Sequence, residues 1–335
     1  MAARSDTLRH LMDQTLELEP IRVAVVDAAQ GLVIETLREA EALGIVEPRL
    51  IGNPDAIATV CRESGWTPQA DWIVPVSGDP AAAAKAVELV RDGAAEAVMK
   101  GNIHTDVLMR ALLHKERGLR VAGQRVSHVF LAEVPSHRKL LGITDAAINI
   151  APDLDAKAQI LQNAVDFFHL LGVETPKVAV LSAVETVNPV IASTLDAACL
   201  TLMAQRGQIS GALVDGPLAF DNAISAEAAR EKEIVSQVAG DADIVLVPDL
   251  VSGNILAKNL EYLAGAVAAG VVVGLAVPVV LSSRADPPSA RLAGLALASL
   301  MHHRASRAAS VRSVAPEVSL PCAPQPEHAC CPVSG

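Results

Sequence analysis

The sequence predicts an α/β protein made of two doubly wound α/β domains, and three observations carry that expectation. Short apolar runs rich in Val, Ile and Leu alternate with longer amphipathic segments, the pattern of strands joined by crossover helices. At 335 residues the chain is longer than one typical domain of about 100–200 residues. Hydrophobic residues make up 51% of it but aromatic ones only 2%, so Ala, Val, Leu and Ile have to fill the helix–sheet interfaces.

The elements follow in order. The run Arg22 to Asp27 reads as the first strand, and the helical pattern 32–43 stops at Gly44. Residues 73–76 form a second strand that Pro75 confines to an edge or a strand end. Asp79-Pro80 opens an Ala-rich helix over 79–91, the aspartate as cap and the proline at the first helical position. Ala97 to Lys100 is a strand that runs into a turn at Gly101 and a helix start at Thr105-Asp106. Segments 125–134 and 139–150 hold two or three more strands. His128 reads there as a structural histidine, and Asp145 either faces a cleft or opens a turn.

The texture changes at Ala151-Pro152-Asp153, where the domain crossover is placed. A helix over 154–171, a strand over 177–182, a helix ending at Arg206, a strand over 212–215, a helix over 226–238 and a strand over 243–248 repeat the parallel pattern. No charged residue occurs between Tyr262 and Ser283, yet Gly265, Gly270, Gly274 and Pro278 interrupt the stretch. It reads as a helix end, a buried strand, a turn and a second strand rather than a membrane span. A helix over 291–303 closes the fold. The domains expected are 1–145 with 278–305, then 146–277, with 306–335 as a disordered tail.

A formal charge of −11 argues against nucleic acid and membrane surfaces as partners, since both demand a basic face. Of five cysteines only Cys61 and Cys199 fall in the folded part, usage that suits a reducing cytoplasm. Cys330-Cys331 near His328 sits in Pro- and Ser-rich sequence and reads as tail rather than as a metal site. The N-terminus lacks the apolar core of a secretory signal. No P-loop is present, and Asp27-Ala28-Ala29-Gln30-Gly31 stands where a dinucleotide fingerprint would follow the first strand. Asp215, Asp221, Asp243 and Asp249 read as caps and turn holders rather than as a cation cluster, so no metal is expected.

What remains is a set suited to anions at strand ends and helix starts. Lys100, Gly101 and Thr105 stand where a strand feeds a helix, with Arg110 farther along. Asp249, Gly253, Asn254 and Lys258 occupy a second such turn, in which Ser252-Gly253-Asn254 presents backbone donors; Ser252 as a plain helix cap is the bland alternative. The apolar run Pro278 to Leu281 ends in Ser282, Ser283, Arg284 and Asp286. Arginine's planar fork suits phosphate, and serine both donates and accepts, so the set fits phosphate or an acyl phosphate.

Three blocks carry a resemblance: Val214-Asp215-Gly216-Pro217-Leu218-Ala219-Phe220-Asp221; Pro248-Asp249-Leu250 with Gly253-Asn254-Ile255 and Lys258; and Pro278 through Arg284. In this order they resemble the phosphate acetyltransferase/phosphate butyryltransferase family, over about Val23 to Leu300. The resemblance implies reversible transfer of a short acyl group between coenzyme A and inorganic phosphate, with coenzyme A as substrate and no cofactor or metal. It also implies a cleft between two α/β domains, a fold similar to isocitrate and isopropylmalate dehydrogenases, a C-terminal segment that returns to the first domain, and a homodimer. The family's catalytic serine falls on Ser283, rather than Ser282, and its arginine on Arg284, with Arg110 matching a second substrate arginine. Acetyl-specific relatives carry an acid near the position of Ala290, where this chain has none. Asp286, in a Ser-Arg-Ala-Asp pattern similar to the butyryl branch, is the expected base for the thiol. Acetyl is the acyl group expected and butyryl the alternative. The rival readings are a metal- and NAD-dependent dehydrogenase on the same fold and a non-catalytic acyl-coenzyme A or phosphate-binding regulator.

Overall fold

The computed structural model of the chain describes residues 7–282 and 286–314, with side chains described as far as residue 305. Helix α1 (Leu8–Thr15) precedes β1 (Ile21–Val26), α2 (Gly31–Ala42), β2 (Val46–Gly52) and α3 (Pro54–Glu63). Then come β3 (Ile73–Pro75), α4 (Asp79–Arg91), β4 (Ala97–Lys100), α5 (Thr105–Leu112), β5 (Ser127–Glu133) and β6 (Leu140–Thr144). The chain continues through α6 (Leu154–Leu170), β7 (Lys177–Leu181), α7 (Ala192–Gln205), β8 (Leu213–Leu218), α8 (Phe220–Ile224), α9 (Ala226–Glu231) and β9 (Ile244–Leu246). It ends with α10 (Leu250–Tyr262), β10 (Val267–Val273), β11 (Val279–Val280) and α11 (Pro288–Val314).

Among the described residues all eleven strands join one sheet in the order β3-β2-β1-β4-β11-β10-β5-β6-β9-β7-β8. Its two ends are parallel, but β5 runs antiparallel to both β10 and β6, and β10 antiparallel to β11. The purely parallel sheet expected from the alternating pattern therefore stops at the centre. The reason is connection length: β5 to β6 and β10 to β11 are joined by short links, and a parallel pair needs a crossover of a dozen or more residues.

Strands at both ends are buried on two faces, which is why they read as continuous apolar runs. On β1, Val23 and Val25 pack with Ile34 and Leu37 of α2, while Ala24 and Val26 face Ala82 and Ala86 of α4 and Leu108 of α5. On β7, Val178 and Val180 pack with Ile160 and Phe168 of α6, while Ala179 and Leu181 share a core with Ala257 of α10. Full burial of each such valine or leucine contributes about 1.5–3 kcal/mol. Helix α11 serves both halves. Leu292, Leu295 and Ala298 join the β1 core, and Ala293, Leu297 and Leu300 join the α6 core.

Several local expectations shift. Residues 46–63, unassigned from sequence, form β2 and α3. Pro48 is accommodated because β3 pairs β2 only from Leu50 to Gly52, leaving Pro48 with β1 on one side alone. Gly78, not Asp79, caps α4. The helix expected over 226–238 ends at Glu231, because Glu233 takes a left-handed φ of 55° and the Ser236 hydroxyl accepts from the amides of Val238 and Ala239. The last helix runs past His303 to Val314, and the rest of the expected tail, from residue 315, lies outside the described residues. No helix among the described residues is long and apolar enough to cross a membrane.

Candidate active site

The sheet register brings two of the sequence-selected segments together. Strand β11 lies parallel to β4, with Val280 level with Met99, so Leu281-Ser282 and Lys100 leave the sheet side by side. Across from them stand the N-terminus of α5, the first turns of α10, and β5. They enclose a cavity of about 400 Å³ lined by Lys100, Ile103, His104, Thr105, His128, Phe130, Ala147, Asn254, Lys258, Leu281, Ser282 and Asp286. A second opening of about 440 Å³, between α4 and α5, contains none of the predicted residues and is lined by Val87, Arg91 and His114 among others. The smaller cavity is the better candidate because side chains of opposite charge converge there from distant parts of the chain.

Each predicted residue has a definite place. Lys100 is only 5% exposed, and its Nζ donates to the Gly101 carbonyl at 3.4 Å. Gly101 shapes the turn through its backbone. A Cβ there would lie 2.2 Å from the Asp27 carbonyl oxygen, and the Gly101 amide donates to Val26. Thr105 is the first residue of α5 and His104 its cap position, so the positive end of that helix borders the cavity. Arg110 lies on the outer side of α5, 78% exposed and 3.6 Å from Asp106, and is not among the lining residues.

On α10, Asp249 is the cap: its Oδ1 accepts from the Ser252 amide at 2.8 Å and from the Ser252 hydroxyl at 3.0 Å. Gly253 faces away from the cavity, where a Cβ would come within 2.7 Å of Val247 and 3.0 Å of Ala146. Asn254 and Lys258 do reach the cavity, and Lys258 also pairs with Glu261 at 2.6 Å. Asp286 is half-buried and stands between this cavity and a neighbouring one of about 180 Å³ lined by Glu261, Tyr262 and Ala290. Ser283 and Arg284 lie outside the described residues.

Sequence reasoning passed over Ser282 and Arg291, both buried at or beside the cavity. Ser282 lines the cavity, and its Oγ accepts from Nη1 of Arg291 at 3.2 Å. Arg291 is 2% exposed and also donates from Nε to the Asp286 carbonyl at 3.2 Å. Burial lowers its pKa and the charge of Asp286 opposes that shift. A lone arginine in an apolar helix was a usable signal; the partners of Arg291 were not legible. Asp145 turns out to hold a turn: Oδ1 accepts from the amides of Ala147 and Ile148, which fixes Ala147 in the cavity wall. The other acids stay apart. Asp215 and Asp221 each bond a following amide, and Asp243 bonds the Lys177 amide and pairs with Lys139. Among the described residues no group of His, Cys, Asp and Glu is placed to hold a metal ion.

The arrangement offers two lysines and a helix N-terminus for an anion, an apolar wall of Ile103, Phe130, Ala147 and Leu281, and one carboxylate for proton transfer. Comparison with known proteins points the same way. Residues 74–298 match the family model described as phosphate acetyl/butaryl transferase. The chain is 52% identical over 276 residues to a phosphate acetyltransferase of Rhizobium meliloti, covering 82% of this chain and 87% of the relative. It is 44% identical over 280 residues to a phosphate butyryltransferase of Clostridium acetobutylicum, covering 84% of this chain and 93% of that one. The crystal structure of a branched-chain phosphotransacylase from Enterococcus faecalis V583 superposes with a TM-score of 0.72 at 32% identity, over 84% of this chain and 99% of that one. A family match across most of the chain, with relatives aligned along nearly their whole length, places this protein in the phosphate acetyl/butaryl transferase family.

Proposed function

We propose that the cavity carries the reversible transfer of a short acyl group, acetyl in the first instance, between coenzyme A and inorganic phosphate. The observation that supports it is the convergence of Lys100, Thr105, Asn254, Lys258 and Asp286 around one space with an apolar wall. Lys100, Lys258 and the positive end of α5 attract the phosphate, and the apolar wall takes the acyl chain.

In the phosphorolytic direction a phosphate oxygen attacks the thioester carbonyl, the C–O bond forms and the C–S bond breaks. The proton lost by phosphate passes through Asp286 to the leaving sulfur, and in reverse Asp286 takes it from the thiol. A free thiol of pKa near 8.5 is only a few per cent ionised at neutral pH, so such a base contributes about 10²–10⁴-fold. Holding both substrates in line contributes more, with effective molarities of about 10⁵ M or above. By position in the chain, Ser283 orients the thiol or the developing oxyanion, and Arg284 offsets charge on the phosphate.

Butyryl transfer is the second reading, favoured by Ala290, which is buried and brings no acid to the wall beside Asp286. A homodimer is supported by exposed Val187, Val190, Val251, Ile255 and Leu263, apolar side chains that a second copy would cover. The free thiols of Cys61 and Cys199 support a reducing cytoplasm. The test is one assay: acetyl-, propionyl- and butyryl-coenzyme A with phosphate, following free thiol and acyl phosphate together. Thiol release without acyl phosphate, or no turnover of any of the three, sinks the reading.

A further inference from the structure

His128 is a buried group of the cavity that the reaction as described leaves without a task. It belongs to β5, is 1% exposed, and, unlike Ser282, which bonds Arg291, has no hydrogen-bond partner for either ring nitrogen among the described residues. A neutral imidazole carries one N–H donor and one acceptor, and buried polar atoms are nearly always paired, so two orphan nitrogens in one ring call for an explanation.

The ring is held firmly in that condition. Phe130 meets it edge-on with centroids 4.4 Å apart, and the His128 carbonyl accepts the Thr144 hydroxyl at 2.8 Å. On the adjacent strand Gly270 makes the room, since a Cβ there would lie 2.7 Å from Nε2. Burial pushes the His128 pKa down to about 4 against the opposing pull of Asp145, so the ring is uncharged at neutral pH. An uncharged donor is poorly matched to phosphate, for which the cavity already has Lys100 and Lys258. Beside Ile103, Phe130 and Leu281 it is matched to a carbonyl on a short apolar chain.

Resting on the acyl-transfer reading above, we propose that His128 binds the substrate directly, its ring N–H donating to the carbonyl oxygen of the acyl group. The bond strengthens as negative charge gathers on that oxygen during attack. The proton stays on the ring throughout, and the bond is equally available to the thioester and to the acyl phosphate.

The experiment compares wild type with His128→Leu and His128→Gln, using acetyl- and butyryl-coenzyme A with phosphate and recording Tm for each protein. The leucine variant is expected to lose about 100-fold in kcat/KM for the preferred acyl-coenzyme A. Its KM for phosphate should stay within about threefold of wild type and its Tm should be unchanged or raised, since the orphan nitrogens are gone. The glutamine variant, which keeps an N–H donor, should recover at least about tenfold of the loss. If the leucine variant does not fold, His128→Met makes the same comparison. A folded apolar variant with wild-type kcat/KM, or a loss confined to the phosphate KM, overturns the assignment. The two readings fail separately: a wild-type protein that releases no thiol defeats acyl transfer itself, whereas an active wild type matched by the leucine variant defeats only the role of His128.

Discussion

The two ends of the sheet are made alike and finished differently. At the β3-β2-β1-β4 end and at the β9-β7-β8 end, parallel strands are buried on both faces between helices, from the same aliphatic residues. Yet among the described residues only Leu16 and Leu43 are large exposed apolar side chains before residue 145. After it come Ile150, Val187, Val190, Leu195, Leu202, Val235, Val251, Ile255, Tyr262 and Leu263. The first end is closed on itself and contributes Lys100 and the start of α5 to the cavity. The second contributes α10 and keeps an apolar surface. A packed core and an exposed apolar surface thus come from one composition, and the difference lies in which helix faces and loops the fold leaves uncovered.

Predictions sharpen or break that division. The largest effect is expected at the closed end. Lys100→Gln should lower kcat/KM about 100- to 1,000-fold through lost charge stabilisation, with hydrodynamic size unchanged in light scattering. A change of size instead would mean that the closed end also serves assembly. At the open end Lys157 of α6, 7% exposed at its side chain, pairs with Asp196 of α7 at 2.5 Å. Asp196→Ala strands that buried charge and should cost about 3 kcal/mol in urea unfolding, the low end of the range because the carboxylate is 30% exposed.

Between the ends, His128 has a folded pKa of about 4, below the ordinary value of 6.5. Below pH 6.5 the unfolded chain therefore takes up a proton that the native state refuses until about pH 4, and stability falls across that window. The loss between pH 7 and pH 4.5 should be smaller by about 2–3 kcal/mol in His128→Leu than in wild type, measured by urea midpoints. If the proposed homodimer forms through the open surface, wild type should run as a dimer in light scattering and the double variant Val190→Glu, Ile255→Glu as a monomer; a monomeric wild type or an unchanged assembly breaks the assignment of that surface. The smallest effect belongs to Lys85→Ala, which removes an exposed pair with Glu88 on α4 and should move stability by no more than about 0.5 kcal/mol.

Much of this was legible beforehand where a local pattern suffices. β1, β4, α6 and β7 announce themselves as apolar runs or 3.6-residue stripes bounded by Gly or Pro. Lys100, Thr105, Asn254, Lys258 and Asp286 stand out as polar residues at strand ends and helix starts. β2 escaped because Glu47, Pro48 and Arg49 interrupt its run, and they are tolerated only where the neighbouring strand leaves them room. Gly101 and Gly253 were selected for the site, and their tight contacts are instead with the backbone of β1 and with Val247 and Ala146. Asp249 was likewise selected and is a helix cap.

The sequence by itself determined the alternation of strand and helix, the aliphatic interior and the presence of an anion-handling set, because each follows from burial periodicity or residue chemistry within a few positions. Tertiary structure alone decided that the sheet turns antiparallel at its centre, that Arg291 reaches Ser282 and the carbonyl of Asp286, and that the ring nitrogens of His128 find no hydrogen-bond partner among the described residues. Those outcomes depend on which strands meet and in what register. A side chain's partners come from segments far away in the chain, and no local pattern encodes them.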